Sequence, residues 1–156
     1  MKKNIKLTNE EIAYIAGLLD GDSCLLAQLV RRKKSHSGFQ LRLSLCFYQK
    51  TNRYWFLLWL KKKLQYGILK KKNGIFEYCI VNCIQVKKIL QLVYNKLRIK
   101  HKLCKLILTI IENFQKVKTN HDLIQIAKKV DQIANWNGLK NSKKNVLIIE
   151  QFLNSP

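Results

Sequence analysis

Two carboxylates two residues apart, Asp20 and Asp22, fall where a helix starting near residue 8 would end. The carbonyls of a last helical turn already present the negative pole of the helix dipole, so an acid placed there invites a cation. The stretch 8–23, TNEEIAYIAGLLDGDS, also carries Ala13, Gly17 and Gly21 at every fourth position. On a helix these three make a smooth edge that a second backbone can approach closely. If that edge packs on its own copy across a two-fold axis, the two helix ends coincide and two Asp22 carboxylates face each other. A divalent metal is then almost obligatory, because like charges that close oppose each other's ionisation. The same residues also fit an ordinary helix that ends in a polar turn.

The elements that must position these groups follow from period and turn chemistry. Thr8 and Glu11 have the spacing of a capping box, Leu7 with Ile12 could form a hydrophobic staple, and Ile12, Ile15 and Leu19 form the stripe that meets the core. Residues 24–34 read as a strand running into a basic tip. Its facing stays open, because Leu26 and Val30 share parity with Gln28, Arg32 and Lys34. Residues 39–47 alternate without a break, with Phe39, Leu41, Leu43, Leu45 and Phe47 on one side and Gln40, Arg42, Ser44 and Cys46 on the other. That second row suits successive base edges in a major groove, and equally the solvated face of an antiparallel sheet. Residues 52–64 are expected as a helix with Trp55, Leu58 and Trp59 at core spacing and Lys61 to Lys63 near its C-terminus. Asn73-Gly74 predicts a two-residue type I′ turn that sets Lys70 opposite Glu77 and Lys72 opposite Ile75, with Lys70, Lys72, Glu77 and Cys79 on one face. Further helices are expected over 84–96, 100–114, from Thr119 and Asp122 through 136, and over about 144–153.

Composition narrows the partner. The chain of 156 residues has 30 Lys and Arg against 9 acidic residues, a net charge of +21, which opposes compaction unless a polyanion is bound. Nucleic acid is the first inference and a membrane surface the weaker one, since no basic amphipathic helix stands apart. No apolar leader and no stretch of about 20 apolar residues is present, so neither secretion nor a membrane span is expected. Five cysteines, Cys24, Cys46, Cys79, Cys83 and Cys104, form no CxxC pair and are expected as reduced, half-buried thiols. Frequent Lys, Ile, Asn and Leu with one Pro match an A+T-rich reading frame and suggest an organellar genome.

Residues 15–23, IAGLLDGDS, resemble the LAGLIDADG motif of homing endonucleases, with Ile15 for leucine, Gly21 for the middle alanine and Ser23 for the final glycine. A positive φ at position 23 would strain serine. One motif in a chain of this length resembles the single-motif, homodimeric branch. QKTNRYWF at 49–56, LRIKHKL at 97–103 and VDQIANWN at 130–137 extend the likeness to algal chloroplast intron enzymes. The resemblance implies a single α+β domain over 1–156 with an αββαββα order, a four-stranded antiparallel saddle-shaped sheet, C-terminal helices and a homodimer through Ala13, Gly17 and Gly21. It further implies site-specific cleavage of both strands of a long, nearly palindromic double-stranded DNA, dependent on Mg²⁺ or another divalent such as Mn²⁺. The implied metal ligands are Asp22 and the Gly21 carbonyl, with Gln49, Arg53 and Lys100 as the polar shell of the reaction, while Asp20 serves the local structure. Taken alone, Lys100 reads as a surface lysine and Gln49 as a helix-entry residue.

The matching DNA-reading positions are Gln28, Val30, Arg32, Lys34, Gln40, Arg42, Ser44, Cys46, Lys70, Lys72, Glu77 and Cys79, of which Val30 and Cys46 offer little beyond van der Waals contact. Lys140, Lys143 and Lys144 lie in a basic connection that either meets solvent or neutralises phosphates. The implied compartment is the chloroplast, with the mitochondrion as the alternative. Two other functions fit the same charge and fold: an RNA-binding intron maturase, and a DNA-binding protein that no longer cuts.

Overall fold

Thr8 starts the first helix as the pattern requires: its hydroxyl accepts from the Glu11 N–H while the Glu11 carboxylate accepts from the Thr8 N–H. The computed structural model describes residues 4–139 and 144–155. The elements are α1 (Asn9–Asp22), β1 (Ser23–Arg31), β2 (Phe39–Lys50), α2 (Tyr54–Leu64), β3 (Ile68–Lys72), β4 (Ile75–Ile80), α3 (Cys83–Val93), α4 (His101–Gln115), α5 (Asn120–Trp136) and α6 (Asn145–Asn154), with short 3₁₀ turns at Thr51–Arg53 and Tyr94–Lys96. The αββαββα order followed by three further helices, α4 to α6, is therefore present, and the strands form one sheet in the order β1-β2-β4-β3.

The chain divides into two compact units, one of residues 1–25 and 44–101, the other of 26–43 and 102–156, so β1 and β2 each pass from one to the other. In the first unit the hairpin register is the expected one, Lys70 opposite Glu77 and Lys72 opposite Ile75. Asn73 and Gly74 take the two positive φ values that a type I′ turn needs. Gly67 has no substitute: its φ is +83°, and a Cβ there would lie 2.5 Å from the Cys79 carbonyl oxygen. Tyr78 is fully buried, yet its hydroxyl is satisfied by the Tyr66 carbonyl at 2.5 Å, and burial pushes its pKa up.

The α2 stripe differs from expectation. Leu57, Leu60 and Leu64 face the core, whereas Trp55 is 68% exposed and Leu58 45% exposed. Both sets obey a helical period, and it is the leucine stripe that is buried in a helix that packs on β4. Trp59 is half-buried and meets Tyr14 of α1 edge to face, with ring centroids 5.9 Å apart.

The open facing of β1 is resolved in favour of its odd-numbered residues. Leu25, the last β1 residue of the first unit, is buried, as are Ala27 and Leu29 in the second, and Gln28 is left exposed. In the second unit α5 carries the other capping box, Thr119 with Asp122. Asp131 on α5 does for α6 what Lys144, its N-cap, cannot: it accepts from the Asn145 and Val146 N–H groups at 2.8 and 3.1 Å. Among the described residues no helix is long and apolar enough to cross a membrane.

Backbone N–H groups of Lys118 and Thr119, then the Thr119 hydroxyl, hold the Asp122 carboxyl below the usual aspartate pKa. A depressed folded pKa contributes stability that is present above the unfolded value of about 3.9 and lost as pH falls through the folded one. Thermal melts from pH 7 to 3 should therefore show Asp122→Asn costing most at neutral pH, with wild type and variant converging at the acid end. A gap independent of pH would remove the charge from this cap.

Candidate active site and nucleic-acid interface

Residues two apart on a helix point about 200° apart, so Asp20 and Asp22 cannot share a role. Asp20 turns toward the loop after α3. Its carboxylate accepts from the N–H groups of Arg98 at 2.8 Å, Ile99 at 3.2 Å and Lys100 at 2.8 Å. Burial pushes its pKa up, but the three N–H bonds and the Lys100 charge outweigh that and leave it below the usual range. Asp22 is exposed, as is Gly21. The Asp22 carboxylate and the Gly21 carbonyl are hard oxygen donors at the negative pole of α1, a donor set that suits a small divalent cation.

The Asp20 tie fixes Lys100. Its Nζ donates to the Leu19 carbonyl at 2.8 Å, the Ser23 carbonyl at 2.6 Å and the Ser23 hydroxyl at 3.2 Å. Burial lowers the pKa of this ammonium, opposed by the nearby Cys24, Asp20 and Asp22. Ser23 itself is extended, φ −111° and ψ 155°, so the strain that a positive φ would bring does not arise. Gln49 and Arg53 meet as well, the guanidinium donating to Gln49 Oε1 at 3.4 Å.

On the first unit's sheet face, Lys70 and Lys72 are exposed while Ser44 and Glu77 are half-buried. The expectation of thiols fails at two positions: Cys46 and Cys79 form a disulfide. They are direct partners in the β2–β4 register, with Cα atoms 4.2 Å apart, close enough to be bridged. Cys46 is buried, so the bridge shows mainly through the half-buried Cys79. Cys24, Cys83 and Cys104 lie outside it, and burial pushes the Cys104 thiol up to about 12.

Tyr48 escaped the sequence reading. It stands opposite Glu77, and its phenol donates to that carboxylate. Burial first, and then the Glu77 charge and contact, raise its pKa. The alternation of β2 continued past residue 47 would have found it. On the second unit, Gln28, Arg32, Lys34 and Arg42 are exposed, and Val30 and Gln40 half-buried. Lys144 is exposed, while Lys140 and Lys143 lie outside the described residues.

Residues 15–113 match the profile of the LAGLIDADG endonuclease family. The DNA endonuclease I-CvuI of Chlorella vulgaris is 31% identical over 141 residues, 90% of this chain and 86% of that protein. The DNA endonuclease I-CreI of Chlamydomonas reinhardtii is 29% identical over 153 residues, 97% of this chain and 94% of that one. A crystal structure of I-CvuI in complex with its target in the presence of calcium superposes with a TM-score of 0.75 at 29% identity, covering 94% of this chain and 96% of that one.

Alkylation counts the thiols. Denatured without reductant, the chain should take up three alkyl groups, and five after reduction, read by intact mass. Five in both samples would dissolve the cross-strand bridge.

Proposed function

The chain belongs to the LAGLIDADG endonuclease family, and from that premise we propose that it is a homodimeric, site-specific DNA endonuclease. It hydrolyses both strands of a long, nearly palindromic target and so propagates the intron that encodes it. The observation that carries this reading is the division of labour at the tip of α1, where Asp20 is committed to three backbone N–H groups and Asp22 is left exposed beside the Lys100 ammonium.

Asp22 and the Gly21 carbonyl would hold Mg²⁺, or Mn²⁺ in its place. A bound divalent cation supplies Lewis-acid polarisation of a phosphate and a water of lowered pKa. Lys100 and Arg53 bring positive charge to the oxygens that gain negative charge in the transition state, and Gln49 orients water by its amide. The two-fold contact runs along Ala13, Gly17 and Gly21, all exposed, with open space within 4 Å of any Cβ built on either glycine.

Reading of the target falls to the polar strand faces. Arg32 and Arg42 have the bidentate fork that fits guanine, Gln28 and Gln40 fit adenine, and Glu77 can accept from cytosine in competition with Tyr48. Ser44, Lys70 and Lys72 are further contacts to bases or phosphates, Lys34 and Lys144 contacts to phosphates, and Val30 and the Cys46–Cys79 bridge apolar surface. The compartment is the chloroplast, a reading that rests on the algal origin of the two relatives.

The decisive experiment is digestion of a plasmid carrying the intronless host gene, with Mg²⁺ and with EDTA. Linear product is expected only with metal. Asp22→Asn should bind the target yet cut it about 10³-fold more slowly. Intact plasmid together with bound intron RNA would overturn the reading in favour of a maturase. The dimer has its own test in Gly17→Leu. Removing a mid-helix glycine should favour α1 by about 1 kcal/mol, while the new side chain blocks a second helix. Sedimentation should then show a folded monomer that no longer cuts. A dimer that still cuts would move the two-fold contact elsewhere.

A further inference from the structure

The Lys100 ammonium rests on three oxygens, and only one of them depends on which residue stands at position 23. The Leu19 and Ser23 carbonyls, 2.8 and 2.6 Å from Nζ, are backbone groups that any side chain would leave in place. The Ser23 hydroxyl, at 3.2 Å, exists only because the last position of the motif is serine. Nor is that hydroxyl a passive neighbour. It donates its proton to the Leu19 carbonyl at 2.6 Å, which turns its lone pairs toward the ammonium. Backbone geometry does not call for serine, since φ −111° and ψ 155° suit almost any residue. The lysine needs such a hold, because an ammonium on a flexible four-carbon stem is directed only by its acceptors.

We propose that Ser23 is a positioning residue for Lys100: its hydroxyl, aimed by the Leu19 carbonyl, fixes the ammonium at the end of α1, where the nuclease reading above requires positive charge. Ser23 touches neither phosphate nor base. Its loss leaves Lys100 two carbonyls and more freedom, so the chemical step weakens while affinity for DNA is kept.

The test is a double-mutant cycle on the target duplex recovered from the plasmid digestion. Single-turnover cleavage is measured at saturating protein, and binding separately in Ca²⁺. Ser23→Ala should slow cleavage about tenfold, with the dissociation constant within about twofold, and Ser23→Thr, which keeps a hydroxyl, should restore most of the rate. In a Lys100→Met background Ser23→Ala should have no further effect. Wild-type cleavage by Ser23→Ala, or the same slowing with and without Lys100, would overturn the inference. A readout that needs no cleavage accompanies it: reductive methylation of Lys100, followed by peptide mass spectrometry, should be faster in Ser23→Ala than in wild type or Ser23→Thr. Unchanged methylation would show that the hydroxyl does not hold the ammonium. A wild-type chain that cuts no DNA would overturn the nuclease reading and the catalytic half of this inference together, and the methylation rates would still decide the structural half.

Discussion

One carboxylate holding three backbone N–H groups is the contact on which the site depends. Asp20 reaches across 78 to 80 residues of sequence to bind Arg98, Ile99 and Lys100. A carboxylate at the end of a helix is disfavoured by the dipole, but here it meets three donors that have no place in a helix or strand ladder. The exchange benefits both sides. The loop after α3 has its orphan N–H groups satisfied, and α1 can end in acid without solvent carrying the whole penalty. Lys100 follows from the same tie, because once its own N–H is on Asp20 its side chain can reach back to the Leu19 and Ser23 carbonyls.

The split between the two aspartates is then geometric. A helix rotates about 100° per residue, so when Asp20 faces the loop, Asp22 must face away from it. One acid is committed to backbone donors and its neighbour is left exposed. A single acid could not serve both ends, and two on the same face would compete for the same donors. The spacing of two residues is what lets one short stretch tie down a loop and still leave a second carboxylate exposed.

Local chemistry was legible in the sequence and long-range chemistry was not. Both capping boxes, the Asn73-Gly74 turn and the buried row of β2 depend on neighbours within a few positions, and each stands as read. The core face of α2 was misread because residues 55, 58 and 59 and residues 57, 60 and 64 are both helical stripes, and only the sheet decides between them. The disulfide was missed for a related reason. Strand alternation puts Cys46 and Cys79 on polar faces of two different strands, but bonding them needs the β2–β4 register across 33 residues. At the site, the pair of acids at the end of α1 is legible from helix length, whereas the tie of Asp20 to residues 98–100 and the grip of Ser23 on Lys100 depend on contacts 77 to 80 residues long.

The charge balance makes sense in the same terms. Of the nine acidic residues, Asp20, Asp122, Asp131 and Glu11 are engaged by backbone N–H groups. Glu11 also makes the ion pair with Lys63, the one such pair among the described residues. These four acids thus work as acceptors for the chain's own backbone, and only Glu11 among them also partners a cation. Among the described residues that leaves nearly all of the lysines and arginines without an internal counter-ion. A fold that answered its positive charge internally would have little left for a phosphate backbone. This one satisfies its helix ends with carboxylates and keeps its cations for a polyanion, which is the electrostatic condition for binding nucleic acid by counterion release.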